Sequence, residues 1–389
     1  MSSELDLEDI YAGFSIPEHV KAFDHAPGTR VSFGPGVLDS LGKEGAALGS
    51  RAMIVTDEGL VEAGYVGRAV RALAVAGLEV TVFSSVHENP STADVRAAVE
   101  AATDAEIDLL IGLGGGSSMD CAKGCNFILT NGGEMKDYWG KEKATKPMLP
   151  LIAVPTTAGT GSECQSFALI ADEHTHAKMA CGDKKAAAKV ALLDPELTLS
   201  QPGKVTALTA IDAMSHAVES YVSKSANDIS RSYALAGFQL MQDAIERIAT
   251  DPKSLLGRAR MQLGAAMAGT AIENSMLGAA HSMANPLTAH FDIIHGQAVG
   301  AALPAVIRRN SEATEIAALY KQLLPSQPLD TWIAGQVANQ GLATRLGDLH
   351  VDRDKLPQLA EEASKQWTAQ FNPIELTAND FENLYQSCY

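Results

Sequence analysis

Between about residue 50 and residue 195, short apolar runs alternate with longer stretches of helical period, and this alternation constrains the fold more than any other feature. Ala52-Met53-Ile54-Val55-Thr56, Glu79–Phe83, Leu109–Leu113, Pro150–Val154 and Val190–Leu193 read as strands. Helical patterns fill 59–76 and 92–104, the second preceded by Asn89-Pro90-Ser91, a turn and N-cap signal. Strands alternating with helices imply βαβ units and a mostly parallel sheet. Such strands are covered on both faces and should be continuously apolar, as these are. From about residue 200 the β signal fades, and 205–222, 229–248, 255–273, 300–307 and 311–324 carry apolar residues at helical spacing. The expected fold is therefore α/β plus all-α. A doubly wound, mostly parallel α/β domain (1–195) precedes an all-helical domain (196–389). Pro and Gly break the pattern near Asp194-Pro195 or Gln201-Pro202-Gly203.

Composition narrows the function. The 389 residues hold 30 Lys+Arg against 47 Asp+Glu, 30 − 47 = −17, with no basic run. That balance argues against nucleic acid, whose phosphates need a basic patch, and against an anionic membrane surface. No apolar stretch approaches the roughly 20 residues of a spanning helix. The N-terminus, MSSELDLEDIYAGF, lacks the basic start and apolar core of a secretory signal. Five cysteines, an odd and sparse set, fit a reducing compartment, so a cytoplasmic protein is expected. Cys121 and Cys125, four apart with no further cysteine at ligand spacing, read as small buried hydrophobes.

Two loops carry a nucleotide signal. Leu109–Lys123, LLIGLGGGSSMDCAK, runs from a buried strand through Gly114, Gly115 and Gly116 into a helix. Glycines let a backbone approach a phosphate, and a helix start supplies free N–H groups and a positive dipole end. A tight strand-to-helix turn would look the same. After the strand ending at Val154, however, PTTAGTGSE (155–163) is again small and hydroxyl-rich. Two such loops at the carboxyl ends of parallel strands mark the crevice where doubly wound sheets bind nucleotides. Asp57, directly after the first strand, either bonds an adenosine 2′-hydroxyl, favouring NAD over NADP, or caps the next helix; the two are compatible.

A second constellation points to a metal. Asp212 and His216 lie four apart in a helical pattern, on one face beside the apolar stripe of Ile211, Met214, Val218 and Tyr221. A lone carboxylate at a core edge is costly unless paired or metal-bound. Downstream, His281, His290 and His295 fall within fifteen residues. One Asp with two or three His is a ligand set suited to Zn2+ or Fe2+, and the absence of thiolate suits a catalytic site. The DEHTH of Asp172–His176 reads as a solvated turn.

Taken in order, these stretches resemble the iron-containing (group III, iron-activated) alcohol dehydrogenase family. The matching residues are Phe33-Gly34-Pro35-Gly36, VTDEGL (55–60), Asn89-Pro90-Ser91, GGGSSMDCAK (114–123), PTTAGTGSE, Lys178, VALLDPEL (190–197), DAMSHAVESYVS (212–223) and the run ending in His295-Gly296. They cover about residues 30 to 310. The resemblance implies a dehydroquinate synthase-like architecture with a metal in the cleft between an α/β and a helical domain. It puts the metal ligands at Asp212, His216, His281 and His295. It assigns the cofactor's pyrophosphate to Gly115, Gly116 and Ser117, and the rest of its site to Asp57, Asn89, Asp120, Thr156, Thr157, Thr160 and Lys178. It also implies a homodimer or larger assembly.

Two positions depart from the family pattern. The family often has a second His four residues after the one matching His281; here it is Asn285, which exchanges no proton near neutral pH. His290 is the candidate substitute for a proton relay, or an ordinary core or surface histidine. Ala210 stands where the family commonly has Gly before the Ile-Asp pair.

The resemblance implies hydride transfer between NAD(H) and a small alcohol or aldehyde, with a divalent cation, Fe2+ or Zn2+, as Lewis acid on the substrate oxygen. Two alternatives remain at this point. One is a dehydroquinate synthase-like enzyme, which would need a more basic pocket than Arg308 and Arg309 supply. The other is a non-catalytic nucleotide- or metal-binding protein.

Overall fold

In the computed structural model of the chain, residues 26–389 are described, His176 excepted. The acidic N-terminal segment and the last residue of DEHTH lie outside the described residues. The chain divides into two compact units, residues 26–157 with 161–201, and residues 158–160 with 202–389. The division falls at 201/202 rather than 195/196. The 3-10 turn Pro195–Thr198 belongs with the strands, because its Leu197 is buried beside Val190 and Leu192.

The α/β unit runs β1 (Arg30–Phe33), α1 (Leu41–Ala46), β2 (Arg51–Val55), α2 (Glu58–Glu62), α3 (Tyr65–Val75), β3 (Glu79–Phe83), α4 (Thr92–Asp104), β4 (Leu109–Gly114), α5 (Gly116–Asn131), β5 (Gly140–Lys141), β6 (Leu151–Pro155), β7 (Phe167–Ala171), β8 (Lys178–Gly182) and β9 (Val190–Leu193). Six strands form one parallel sheet in the order β1-β9-β6-β4-β2-β3. Its central strands are apolar on both faces, with Ile54, Ile111, Ile152 and Val154 fully buried. A smaller sheet, β5-β8-β7, is built on an antiparallel hairpin. Asp172 turns that hairpin by accepting from the N–H groups of His174 and Thr175, both exposed, as expected of a solvated turn.

The topology explains where a nucleotide belongs. From β2 the chain moves outward to β3, then crosses back to β4 on the other side of β2 and continues to β6. The switch point thus lies between the carboxyl ends of β2 and β4, which is where doubly wound sheets open a crevice. Asp57 follows β2 and the glycine run follows β4. Gly114 has φ +153, and a Cβ there would meet the Ser118 hydroxyl at 2.3 Å, so only glycine fits this turn.

Two sequence expectations changed. The helix expected over 59–76 is two, α2 and α3, separated by Gly64 in the left-handed region (φ 81). Strand β1 was not read from the sequence. It is a short edge strand pairing with β9, and buried Asp194 ties its neighbourhood together by accepting from the N–H groups of Gly36 and Leu38. Asp194 thus joins the FGPG and DPEL segments.

The helical unit comprises α6 (Gly203–Val222), α7 (Asp228–Thr250), α8 (Leu255–Glu273), α9 (Ala279–Phe291), α10 (His295–Asn310), α11 (Thr314–Leu323), α12 (Leu329–Asn339), α13 (Leu356–Ser364) and α14 (Ala378–Ser387). Among the described residues, 202–389 contain no strand, and no helix is long and apolar enough to cross a membrane. Helix α6 is buried around most of its circumference, Ala210 included, so its polar residues must find partners inside. Helix α10 begins at His295, five residues earlier than the apolar pattern implied, which makes that histidine part of a first helical turn.

Candidate functional site

Helix α6 brings Asp212 and His216 to one face, and α9 and α10 each add a histidine from their first turn. The Nε2 atoms of His216, His281 and His295 lie 3.5, 3.7 and 3.8 Å from Oδ1 of Asp212. Ligand atoms of Asp212, His216 and His281 all fall within 4.8 Å of one another, and the three residues are buried. His295 flanks them with its ring 5.2 Å from that of His281 and is the more open, its side chain 28% exposed. Its position depends on Gly296. A Cβ there would come within 2.3 Å of the Leu208 carbonyl, so glycine lets α10 start hard against α6.

The donor set fits a divalent cation. Oδ1 of Asp212 and Nε2 of His281 are buried without a hydrogen-bond partner, although they face each other. At 3.7 Å they are too far apart to bond. Two ligands about 2.1 Å from one cation, at a tetrahedral angle, stand about 3.4 Å apart. Buried orphaned polar atoms at such separations are what a bound cation would satisfy. Charge points the same way. Burial opposes ionisation of Asp212, yet the three imidazoles hold its carboxyl well below the usual range. Burial keeps His216 below the ordinary imidazole value, against the pull of Asp212. Burial would also lower His281, but the carboxylates of Asp212 and Glu219 outweigh it and raise the group to about 9.

Glu219 is a site residue that the sequence reading missed. Its Oε2 lies 2.6 Å from Nδ1 of His281. The signal was present in the spacing, since 212, 216 and 219 stand at i, i+4 and i+7 on one helical face.

Of the cofactor candidates, Asp57 and the glycine run follow β2 and β4, the two strands that flank the sheet's switch point. Gly115, Gly116 and Ser117, partly exposed, form the start of α5, and the Ser117 hydroxyl accepts from the Asn89 N–H at 3.3 Å. Asn89 is exposed with φ 55. Thr156 and Thr157 continue β6, and Lys178 opens β8 with its side chain exposed. Asp57 caps α2, its carboxylate accepting from the Leu60 N–H at 3.1 Å. Thr160 falls in the helical unit with Ala158 and Gly159. Asp120 differs from the rest. It is buried and accepts from the Ser162 hydroxyl at 2.7 Å, so it braces the second loop instead of presenting a free carboxylate.

Comparison with known proteins identifies a family. The family model for iron-containing alcohol dehydrogenase matches residues 28–195, and that for the C-terminal part of the Fe-containing alcohol dehydrogenase family matches 206–389. The chain belongs to the iron-containing alcohol dehydrogenase family. It is 31% identical to 1,3-propanediol dehydrogenase of Citrobacter freundii, covering 95% of this chain and 99% of that one. It is also 31% identical to NAD-dependent methanol dehydrogenase of Bacillus methanolicus, covering 91% and 96%. Among solved structures, alcohol dehydrogenase from Oenococcus oeni superposes with a TM-score of 0.90 at 30% identity, covering 95% of this chain and all of that one. Family membership makes the chain an NAD- and metal-dependent alcohol dehydrogenase.

The resemblance led to the expectation of a second histidine four residues after His281, where this chain has Asn285. Asn285, one turn along α9, donates from Nδ2 to Oε1 of Gln366 at 3.0 Å. His290 does not join the centre. It lies nine residues beyond His281, about 13 Å along the helix axis at 1.5 Å per residue, and its Nε2 is 2.7 Å from Glu362 on α13. A proton relay through His290 therefore lacks the proximity it would need. Arg308 and Arg309 are also engaged, with Asp330 and with Glu312 and Asp380, which leaves no free basic pair for a phosphorylated substrate. Cys121 and Cys125 are buried free thiols, and burial pushes the Cys125 thiol up to about 12.

Proposed function

We propose that this enzyme interconverts a small alcohol and its aldehyde with NAD(H), using a divalent cation held by Asp212, His216, His281 and His295. Fe2+ is the first candidate and Zn2+ the second, because the N/O donor set admits both. The observation that carries this reading is the pair of facing, buried polar atoms without a hydrogen-bond partner, Oδ1 of Asp212 and Nε2 of His281. When bound, the cation supplies Lewis-acid stabilisation of negative charge on the substrate oxygen. Relatives named for 1,3-propanediol and methanol support a small alcohol as substrate.

The protein's own residues do the binding and orienting. The helix start at Gly115–Ser117 offers N–H groups to the cofactor's pyrophosphate. Asp57 offers an acceptor to the adenosine ribose and would repel a 2′-phosphate. Asn89, Thr156, Thr157, Thr160 and Lys178 complete the cofactor contacts, with Asp120 bracing the loop that carries them. Asn285 lies four residues beyond His281 on α9 and, as an amide, orients without exchanging a proton. Five buried free cysteines support a reducing, cytoplasmic location. Exposed Val31 and Val82 on the two edge strands, each 40% exposed, support a homodimer or larger assembly.

Metal analysis of anaerobically purified protein, followed by an alcohol and aldehyde screen with NAD(H), tests the reading. Chelation should abolish turnover, and NADH should accumulate with alcohol and NAD+. His281→Ala or Asp212→Ala should lose turnover while NADH still binds, read by its fluorescence. Full activity in a demetallated sample would refute the cation's role.

A further inference from the structure

The imidazole of His281 is gripped on the side away from Asp212. Nδ1 lies 2.6 Å from Oε2 of Glu219, and Glu219 also accepts from the backbone N–H groups of Gly278 at 3.1 Å and Ala280 at 2.7 Å. Glu219 is 4% exposed. Backbone N–H groups only donate, so a carboxylate that receives two of them is an acceptor throughout, and Nδ1 of His281 must be the donor. Nε2 is left to face Asp212.

We propose that Glu219 is the positioning residue of the metal centre: by holding Nδ1–H it fixes the tautomer and ring plane that aim Nε2 of His281 at the cation. This rests on the cation reading above. One helix, α6, then supplies two ligands and the carboxylate that orients a third from α9. Such a buried carboxylate behind a ligating histidine fixes the tautomer and raises ligand basicity. Glu219 also caps α9, and that task is shared. Asn372 Oδ1 accepts from the Ala279 N–H at 3.3 Å and from Asn310 at 3.1 Å, and neither bond involves His281. The two capping residues can therefore be separated by experiment.

The test uses the full chain stripped of metal and Zn2+ alone, with affinity read by competition against a chromophoric chelator. Glu219→Gln keeps the volume, but its amide N–H2 must oppose one of the donors. Affinity for Zn2+ should fall about 10- to 100-fold. Asn372→Ala should lower the melting temperature of the metal-free protein and leave Zn2+ affinity unchanged. Glu219→Gln with wild-type affinity, or both variants losing affinity in step with melting temperature, would reduce Glu219 to a helix cap. A wild-type chain that binds no stoichiometric Zn2+ would overturn the cation reading instead. Should Glu219→Gln not fold, nitrogen NMR of isotopically labelled histidine in Zn2+-loaded wild type decides. A protonated Nδ1 on His281 supports the proposal, and a cation on Nδ1 defeats it.

Discussion

The ammonium of Lys123 donates to the main-chain carbonyl of Ser162 at 2.6 Å and to its hydroxyl at 2.8 Å, with no exposure to solvent. A third bond reaches the Phe167 carbonyl at 3.0 Å, and Oδ1 of Asp120 stands 4.0 Å away. The lysine of GGGSSMDCAK thus pins α5 to the end of the hydroxyl-rich loop. A buried ammonium is tolerated only where its donors are satisfied.

Lys123→Met should therefore be costly although it adds apolar volume. It leaves two carbonyls and a buried carboxylate without their cation, the situation in which removing one partner costs about 3–5 kcal/mol. Urea unfolding should show a clear drop in the midpoint. A midpoint equal to wild type would mean that water or a shifted backbone replaces the ammonium.

Glu163, next to Ser162, is buried, and desolvation pushes its carboxyl up to about 7 from an ordinary 4.5. The folded protein then holds a proton that the unfolded chain releases between those two values. Stability is present below 4.5 and is lost as pH rises toward 7. The full loss is on the order of 3 kcal/mol at 1.36 kcal/mol per unit. Glu163→Gln removes the titrating group, so its stability relative to wild type should grow from pH 5 to pH 8. Parallel unfolding midpoints at both pH values would contradict this.

Asp57 caps α2 and has a second, proposed task at the cofactor ribose. Asp57→Gly separates them, because replacing a cap residue by glycine costs only a few tenths of a kcal/mol. Melting should barely change, while the ratio of NADP to NAD use should rise. An unchanged cofactor ratio in steady-state kinetics would leave Asp57 as a cap alone.

Gly296 sets the approach of α10 to α6. Gly296→Ala forces a methyl group against the Leu208 carbonyl, where contact would be 2.3 Å. Overpacking of this kind costs about 1–3 kcal/mol, and the shift falls on the first turn that carries His295. Both the melting temperature and Zn2+ affinity should fall. Wild-type values of both would show that the helices separate without moving His295.

Much of this protein was legible in its sequence because the relevant signals are local. Continuous apolar runs such as Leu109–Leu113 announced parallel strands, and the fading of that signal after residue 200 announced helices. Gly114 and the asparagine and serine before α4 marked their turns by conformational need. What tertiary structure decided are relationships across the chain. Asp212 and His216 are neighbours by helical period, but only packing shows that His281 and His295, from other helices, meet the same carboxylate oxygen while His290 turns away to Glu362. Glu219 lay on the same face as Asp212, yet its purpose needed the partner 62 residues away. Asp120, which the resemblance assigned to the cofactor site, is instead committed to Ser162, which Lys123 also holds, because burial turns a charge toward whatever neutralises it. Local propensity is written in neighbouring residues; the pairing of buried polar groups is settled only when distant segments expel the water between them.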